Sequence, residues 1–70
     1  MWEFEKYIVY EETDLMRFED LQGNILGYVS FDDGGKELKN QLDSGVDPIA
    51  EGWEDGVGNV ISLEGWGNQA

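Results

Sequence analysis

The chain has 70 residues, with 16 Asp plus Glu against 4 Lys plus Arg and no His, for a formal net charge of -12; a chain this short builds one small domain and excludes a second domain or a deep multilayered active site. The absence of Cys excludes disulfides, thiolate metal sites and a cysteine nucleophile, and it fits a reducing cytoplasm. High net charge with few apolar residues marks disorder, but 40% of this chain is hydrophobic and it holds three Trp, three Tyr and three Phe, enough large side chains for one modest core.

Residues 2–11 are β-rich and predict a first strand, with Trp2, Phe4, Lys6, Ile8 and Tyr10 on one face and Glu3, Glu5, Tyr7, Val9 and Glu11 on the other. A polar turn at Glu12, Thr13 and Asp14 follows, then a short second strand over 15–18 and a third over 25–31. Between them Gly23 and Asn24, both tolerant of positive φ, close a hairpin with a loop longer than two residues. Asp32, Asp33, Gly34 and Gly35 interrupt the strand pattern. Asp33 is placed to cap a helix over about 35–44, Gly45 to stop it, and Leu38 and Leu42, one turn apart, to seat it across the sheet. Pro48 forbids continuing the helix, and Val46 and Ile49 anchor the crossing loop. The glycine-rich tail predicts a turn around 55–59 and a last strand over 60–63. Glu-Gly-Trp occurs at 51–53 and at 64–66; each Gly admits a close backbone and each Trp plugs an edge of the core. The expectation is an α+β domain spanning 1–70: a three-stranded antiparallel meander plus a C-terminal strand, with one helix on one face.

Little chemistry is open to this composition. Without His or Cys the usual general bases and activated nucleophiles are missing, and hydrolytic triads are excluded. A glycosidase-type carboxylate pair needs a sugar-wide cleft and one carboxyl raised in pKa by burial, for which the chain leaves little room. No phosphate loop of the form G-x-x-x-x-G-K-[ST] occurs, and the negative charge would repel a phosphate. Calcium fits the ligand type but not the spacing. An EF-hand loop starting at Asp55 puts Val60 at the glycine position and Trp66 at the glutamate position, and one starting at Asp43 puts Pro48 at the glycine position. We therefore expect a non-enzymatic protein without cofactor or metal. The acidic N-terminus is unlike a basic signal-peptide start, and no apolar run approaches the roughly 20 residues of a membrane span, so a soluble cytoplasmic protein is expected.

The remaining signal is the carboxylates themselves. Read as one strand, residues 2–11 set Glu3 and Glu5 roughly 6.5–7 Å apart, close to the gap between phosphates along a nucleic-acid strand. Glu11, Glu12 and Asp14 at the first turn, Glu19 and Asp20 in the hairpin, Asp32 and Asp33 before the helix, and Glu51, Glu54 and Asp55 in the tail extend the pattern toward a negative band. A rigid acidic protein can occupy a basic groove built for nucleic acid, steered by charge and held by Arg and Lys on its carboxylates. Trp66, near the C-terminus, either closes the core or anchors in a partner's pocket.

In size, acidity, lack of Cys and mixed sheet-and-helix pattern, the chain resembles the small phage- and plasmid-encoded inhibitors of bacterial immunity, the anti-CRISPR and anti-restriction DNA mimics. The resemblance covers the whole chain by composition; residues 52–59, Gly-Trp-Glu-Asp-Gly-Val-Gly-Asn, also resemble tails of mobile-element proteins. It implies binding to a Cas effector or another nucleic-acid-binding defence protein, at the surface that holds the adjacent-motif duplex or the guide, with no direct binding to nucleic acid or membrane. The alternative is a small structural or adaptor protein whose acidity serves solubility. Apolar and aromatic residues on both faces of the first and third strands leave one sheet face open for it, to a homodimer or to a hydrophobic partner contact.

Overall fold

Apolar and charged residues alternate through the first half of the chain, and the fold sorts them between the two faces of one antiparallel sheet. The computed structural model describes residues 1–66. Four strands, β1 (Trp2–Glu3), β2 (Tyr7–Glu11), β3 (Leu15–Asp20) and β4 (Ile25–Ser30), lie side by side in chain order. A 3-10 turn (Phe31–Asp33) leads into the single helix α1 (Gly35–Asp43). The α+β architecture, the antiparallel meander and the helix are those the sequence predicts.

The fourth strand, however, comes from the N-terminus. Residues 2–11 are not one strand: the chain reverses at 4–6, where the Phe4 N–H donates to the Tyr7 carbonyl at 2.9 Å, and Trp2 pairs with Val9 and Glu3 with Ile8. This reversal turns Trp2 to the face of Tyr7 and Val9, opposite to the side given by uninterrupted alternation. At the other end of the chain, residues 60–63 add no strand to the sheet. Val60 makes a one-residue bridge with Glu54, and the Ile61 N–H donates to the Trp53 carbonyl at 3.0 Å, so the tail is a small hairpin of its own.

Register decides the core. Val9 stands opposite Phe18 and Phe18 opposite Gly27, while Glu11, Met16 and Val29 form the next row. Tyr7, Val9, Met16, Phe18 and Val29 are buried on this face, and Leu38 and Leu42 of α1 are buried with them, joined by Ile61 from the tail hairpin. The two leucines lie one helical turn apart, the spacing that puts both on one stripe. Full burial of side chains of this size contributes about 1.5–3 kcal/mol each before conformational entropy is subtracted. A column of rings runs across the same face: Phe4 stacks on Tyr7 at 4.7 Å, Tyr7 on Phe18 at 5.8 Å, and Phe18 meets Trp66 edge-on at 5.0 Å.

The helix begins without a capping side chain and ends in a defined stop. Asp33 is not the N-cap; that position is Gly34, with φ 99°, and Ser30 instead caps the 3-10 turn by accepting the Asp32 N–H at 3.1 Å. At the C-terminus the Gly45 N–H donates to Leu42 and the Val46 N–H to Gln41, both at 3.0 Å, the paired bonds of a Schellman stop. The loop beyond is fastened to β2, because the buried Tyr7 hydroxyl donates to the Asp47 carboxylate. Burial first and the Asp47 carboxylate second push the Tyr7 phenol well above its ordinary value.

Candidate functional site: an acidic end and an open sheet face

The expected acidic band divides into groups with different tasks. Asp20 and Asp55 serve their own turns. The pattern Asp-x-x-Gly-Asn occurs at 20–24 and at 55–59, and the two copies fold alike. In each, one carboxylate oxygen accepts the N–H groups two and four residues ahead, all at 2.9 Å. The other oxygen accepts the Asn side-chain amide, at 3.0 Å for Asp20 and 3.1 Å for Asp55. Gly23 at φ 91° and Gly58 at φ 92° supply the left-handed residue that both turns require. Donated bonds from Asn24, then from Gln22 and Gly23, hold Asp20 below the ordinary carboxylate value. At Asp55 partial burial pushes upward, but the bonds from Asn59, Val57 and Gly58 outweigh it and the net shift is also downward.

A second group faces cations of the same chain. Arg17 bonds Glu19 at 2.6 Å and also Glu12, and its guanidinium lies 4.7 Å from the centre of the Tyr10 ring. The bond to Glu19 raises the Arg17 pKa, burial opposes it, and the charges of Glu12 and Glu19 leave the net shift upward. Glu11 pairs with Lys39 of α1 at 3.0 Å. These exposed or half-exposed pairs contribute little to stability, but they fix the directions of the carboxylates.

The third group gathers at one end of the sheet. The Phe31 N–H donates to the Asp14 carbonyl at 3.1 Å, which binds the β2–β3 turn to the start of the 3-10 turn. The Gly56 N–H donates to the Asp33 carbonyl at 2.6 Å and brings the tail hairpin to the same end. Glu11, Glu12, Asp14, Asp32 and Asp33 therefore come from two separate segments held together by backbone bonds, and all are exposed. Glu54, exposed at the bridge beside the 55–59 turn, belongs to the hairpin that meets them. Among the described residues no group of three or more carboxylates is arranged to hold a metal ion.

The other expected contact residues lie elsewhere. Glu3 sits in β1 and Glu5 in the reversal at 4–6, so they do not share a strand face and the phosphate-like spacing between them does not hold. Glu19 and Asp20 end β3 at the opposite end of the sheet from Asp14, and Glu51 is exposed in the turn after Pro48. Trp66 closes the core. Its N–H donates to the Leu26 carbonyl at 3.2 Å, and its ring covers Gly27 so closely that a Cβ there would stand 2.6 Å from the nearest ring atom. Leu26 is the extra residue of a β-bulge, since Phe18 pairs with Gly27 but Glu19 with Ile25. A glycine inside a strand marks such a close approach, and that signal was present at Gly27.

Residues missed as site candidates lie on the face away from α1. Register puts Ile8, Glu19 and Ile25 in one row and Tyr10, Arg17 and Tyr28 in the next. Ile25 is 52% exposed and Tyr28 49% exposed, so this sheet face carries apolar and aromatic surface in the open. No helix among the described residues is long and apolar enough to cross a membrane. No protein-family model, curated protein or solved structure matches the chain.

Proposed function

We propose that the protein is a non-enzymatic inhibitor of a nucleic-acid-binding protein of bacterial defence, of the Cas effector kind, acting in the bacterial cytoplasm by presenting carboxylates to a basic surface. The observation that carries this reading is the acidic end, where Glu11, Glu12, Asp14, Asp32 and Asp33 ride on two segments tied by the Phe31 to Asp14 bond. A net charge of -12 supports steering toward a cationic groove, and it exceeds the magnitude of about 2 to 8 common in well-behaved small domains. Arginine and lysine side chains that fork onto phosphates fork equally onto fixed carboxylates. Backbone anchoring matters because a decoy that is already ordered loses little entropy on docking.

The test is DNA cleavage by a panel of purified Cas effectors, with the protein added before or after target DNA and at low and high salt. Inhibition only on prior addition, relieved by salt and by Asp32→Asn with Asp33→Asn, is the expected result. Inhibition in either order and indifferent to salt would reject occupation of the nucleic-acid site. Absence of inhibition across Cas and restriction enzymes would reject the inhibitor reading.

A further inference from the structure

The open sheet face already holds one arginine, and the way it does so points to what else it takes. Arg17 lies over Tyr10, while Glu12 and Glu19 receive its guanidinium from two sides. Both carboxylates use Oε2 for this, and among the described residues neither Oε1 has a hydrogen-bond partner. Across β3 from Tyr10, Tyr28 stands opposite Arg17 and presents a half-exposed ring that no cation of the described chain covers. Ile25, in the neighbouring row, adds exposed aliphatic surface, and Glu3 adds a further carboxylate beside Ile8. Three carboxylates thus border a face whose one cation is already engaged.

We infer that this face, Tyr28 with Ile25 and the free oxygens of Glu12 and Glu19, is a docking surface for an arginine-bearing segment of a partner protein. The aliphatic stem of the incoming arginine packs on Ile25, its guanidinium stacks on Tyr28, and its N–H groups reach the unused carboxylate oxygens. Charge selects this occupant over a second copy of the chain. Two copies would bring together the same carboxylate-bordered face on chains that each carry a net charge of -12, whereas a basic segment neutralises the border. Glu12 borders both this face and the acidic end, but the inference does not otherwise rest on the decoy reading, whose remaining carboxylates, Glu11, Asp14, Asp32 and Asp33, gather at the strand ends.

The test uses the full chain, labelled with 15N and titrated with hexaarginine and, separately, hexalysine at about 0.15 M salt. Hexaarginine should move the amides of Tyr10, Arg17, Ile25 and Tyr28, and bind roughly three- to fivefold more tightly than hexalysine, because stacking on a ring favours the planar guanidinium. Tyr28→Leu keeps exposed bulk but removes the ring, and it should abolish the preference. Ile25→Gln serves as a second variant and should weaken both peptides. Asp32→Asn with Asp33→Asn should leave the preference unchanged, which separates this surface from the acidic end. Equal affinity for the two peptides, shifts confined to the ends of the turns at Asp14 and Asp33, or sedimentation showing dimers that Tyr28→Leu dissociates would each overturn the inference.

Discussion

Gly27→Ala probes the closure of the core by Trp66. The added Cβ would stand 2.6 Å from Trp66 Cε2 and 2.8 Å from two other ring atoms, where carbon atoms normally rest about 3.5–4.0 Å apart. The ring must retreat by about 1 Å, loosening its edge-on contact with Phe18 and straining the bond from the Trp66 backbone N–H to the Leu26 carbonyl. Overpacking of this kind costs about 1–3 kcal/mol, and alanine recovers about 0.5–1 kcal/mol through lower chain entropy in the unfolded state. The net loss is about 0–2.5 kcal/mol, centred near about 1 kcal/mol, or about 4–8 °C in Tm at that centre for a domain of this size. Trp66→Ala, which removes a half-buried ring, should itself cost about 2 kcal/mol. In that background the obstruction is gone, so Gly27→Ala should become neutral or stabilising. Thermal unfolding by circular dichroism of the four proteins of this cycle measures the reversal of sign. If Gly27→Ala destabilised both backgrounds equally, the contact between Trp66 and Gly27 would not be what makes glycine necessary, and the reasoning would fail.

The twin turns predict a pH dependence with a defined sign. Because the Asp20 and Asp55 carboxyls sit below the ordinary value of 3.8 in the fold, their contribution is complete well above that pH and is lost as pH falls through the lower folded-state values. The stability gap between wild type and Asp55→Asn should therefore be widest near neutrality and close in acid, as followed by urea unfolding from pH 7 to 2.5; a gap that widened on acidification would contradict the assignment. Tyr7→Phe removes the bond to Asp47 and should cost about 1.5–3 kcal/mol, read as a lower urea midpoint. The raised Tyr7 pKa makes its contribution complete below pH 10.0 and lost as pH climbs above that value, so wild type should lose stability there and Tyr7→Phe should lose less.

The features legible in the sequence are those written in local pattern. Leu38 and Leu42 at helical spacing, Gly45 at the helix stop, Gly23 beside Asn24 in the hairpin and the alternation through 15–30 all act within a few residues, and each lies where it was expected. The reversal at 4–6 carries no Gly, Pro or Asn to announce it. It is held by the stacking of Phe4 on Tyr7 across the turn and by a distant partner, Asp43, which accepts the Trp2 indole N–H at 3.1 Å. The apolar run at 60–63 looks like a strand by composition, yet Ile61 enters the core from a hairpin and leaves only Val60 bridged. Carboxylates could be counted from the sequence but not sorted. Only the fold separates Asp20 and Asp55, engaged by their own backbone, from Asp14 and Asp33, joined across unconnected segments. The Asp-x-x-Gly-Asn repeat was visible as letters, but its meaning lies in the hydrogen bonds.

The closing bond from the Trp66 N–H to Leu26 also bears on how the sheet terminates. An antiparallel sheet with open margins can recruit further strands, from a neighbour or from a misfolded copy, through unpaired carbonyl and amide groups. Here one margin is a strand of only two residues, too short to template a partner, and the other is kinked at Leu26 by the bulge and has that residue's carbonyl already occupied. Growth of the sheet is thereby obstructed at both margins by ordinary packing elements rather than by charge alone. A protein built this way resists cross-β polymerisation even where salt or a basic partner has masked its carboxylates, the condition under which electrostatic repulsion no longer protects it.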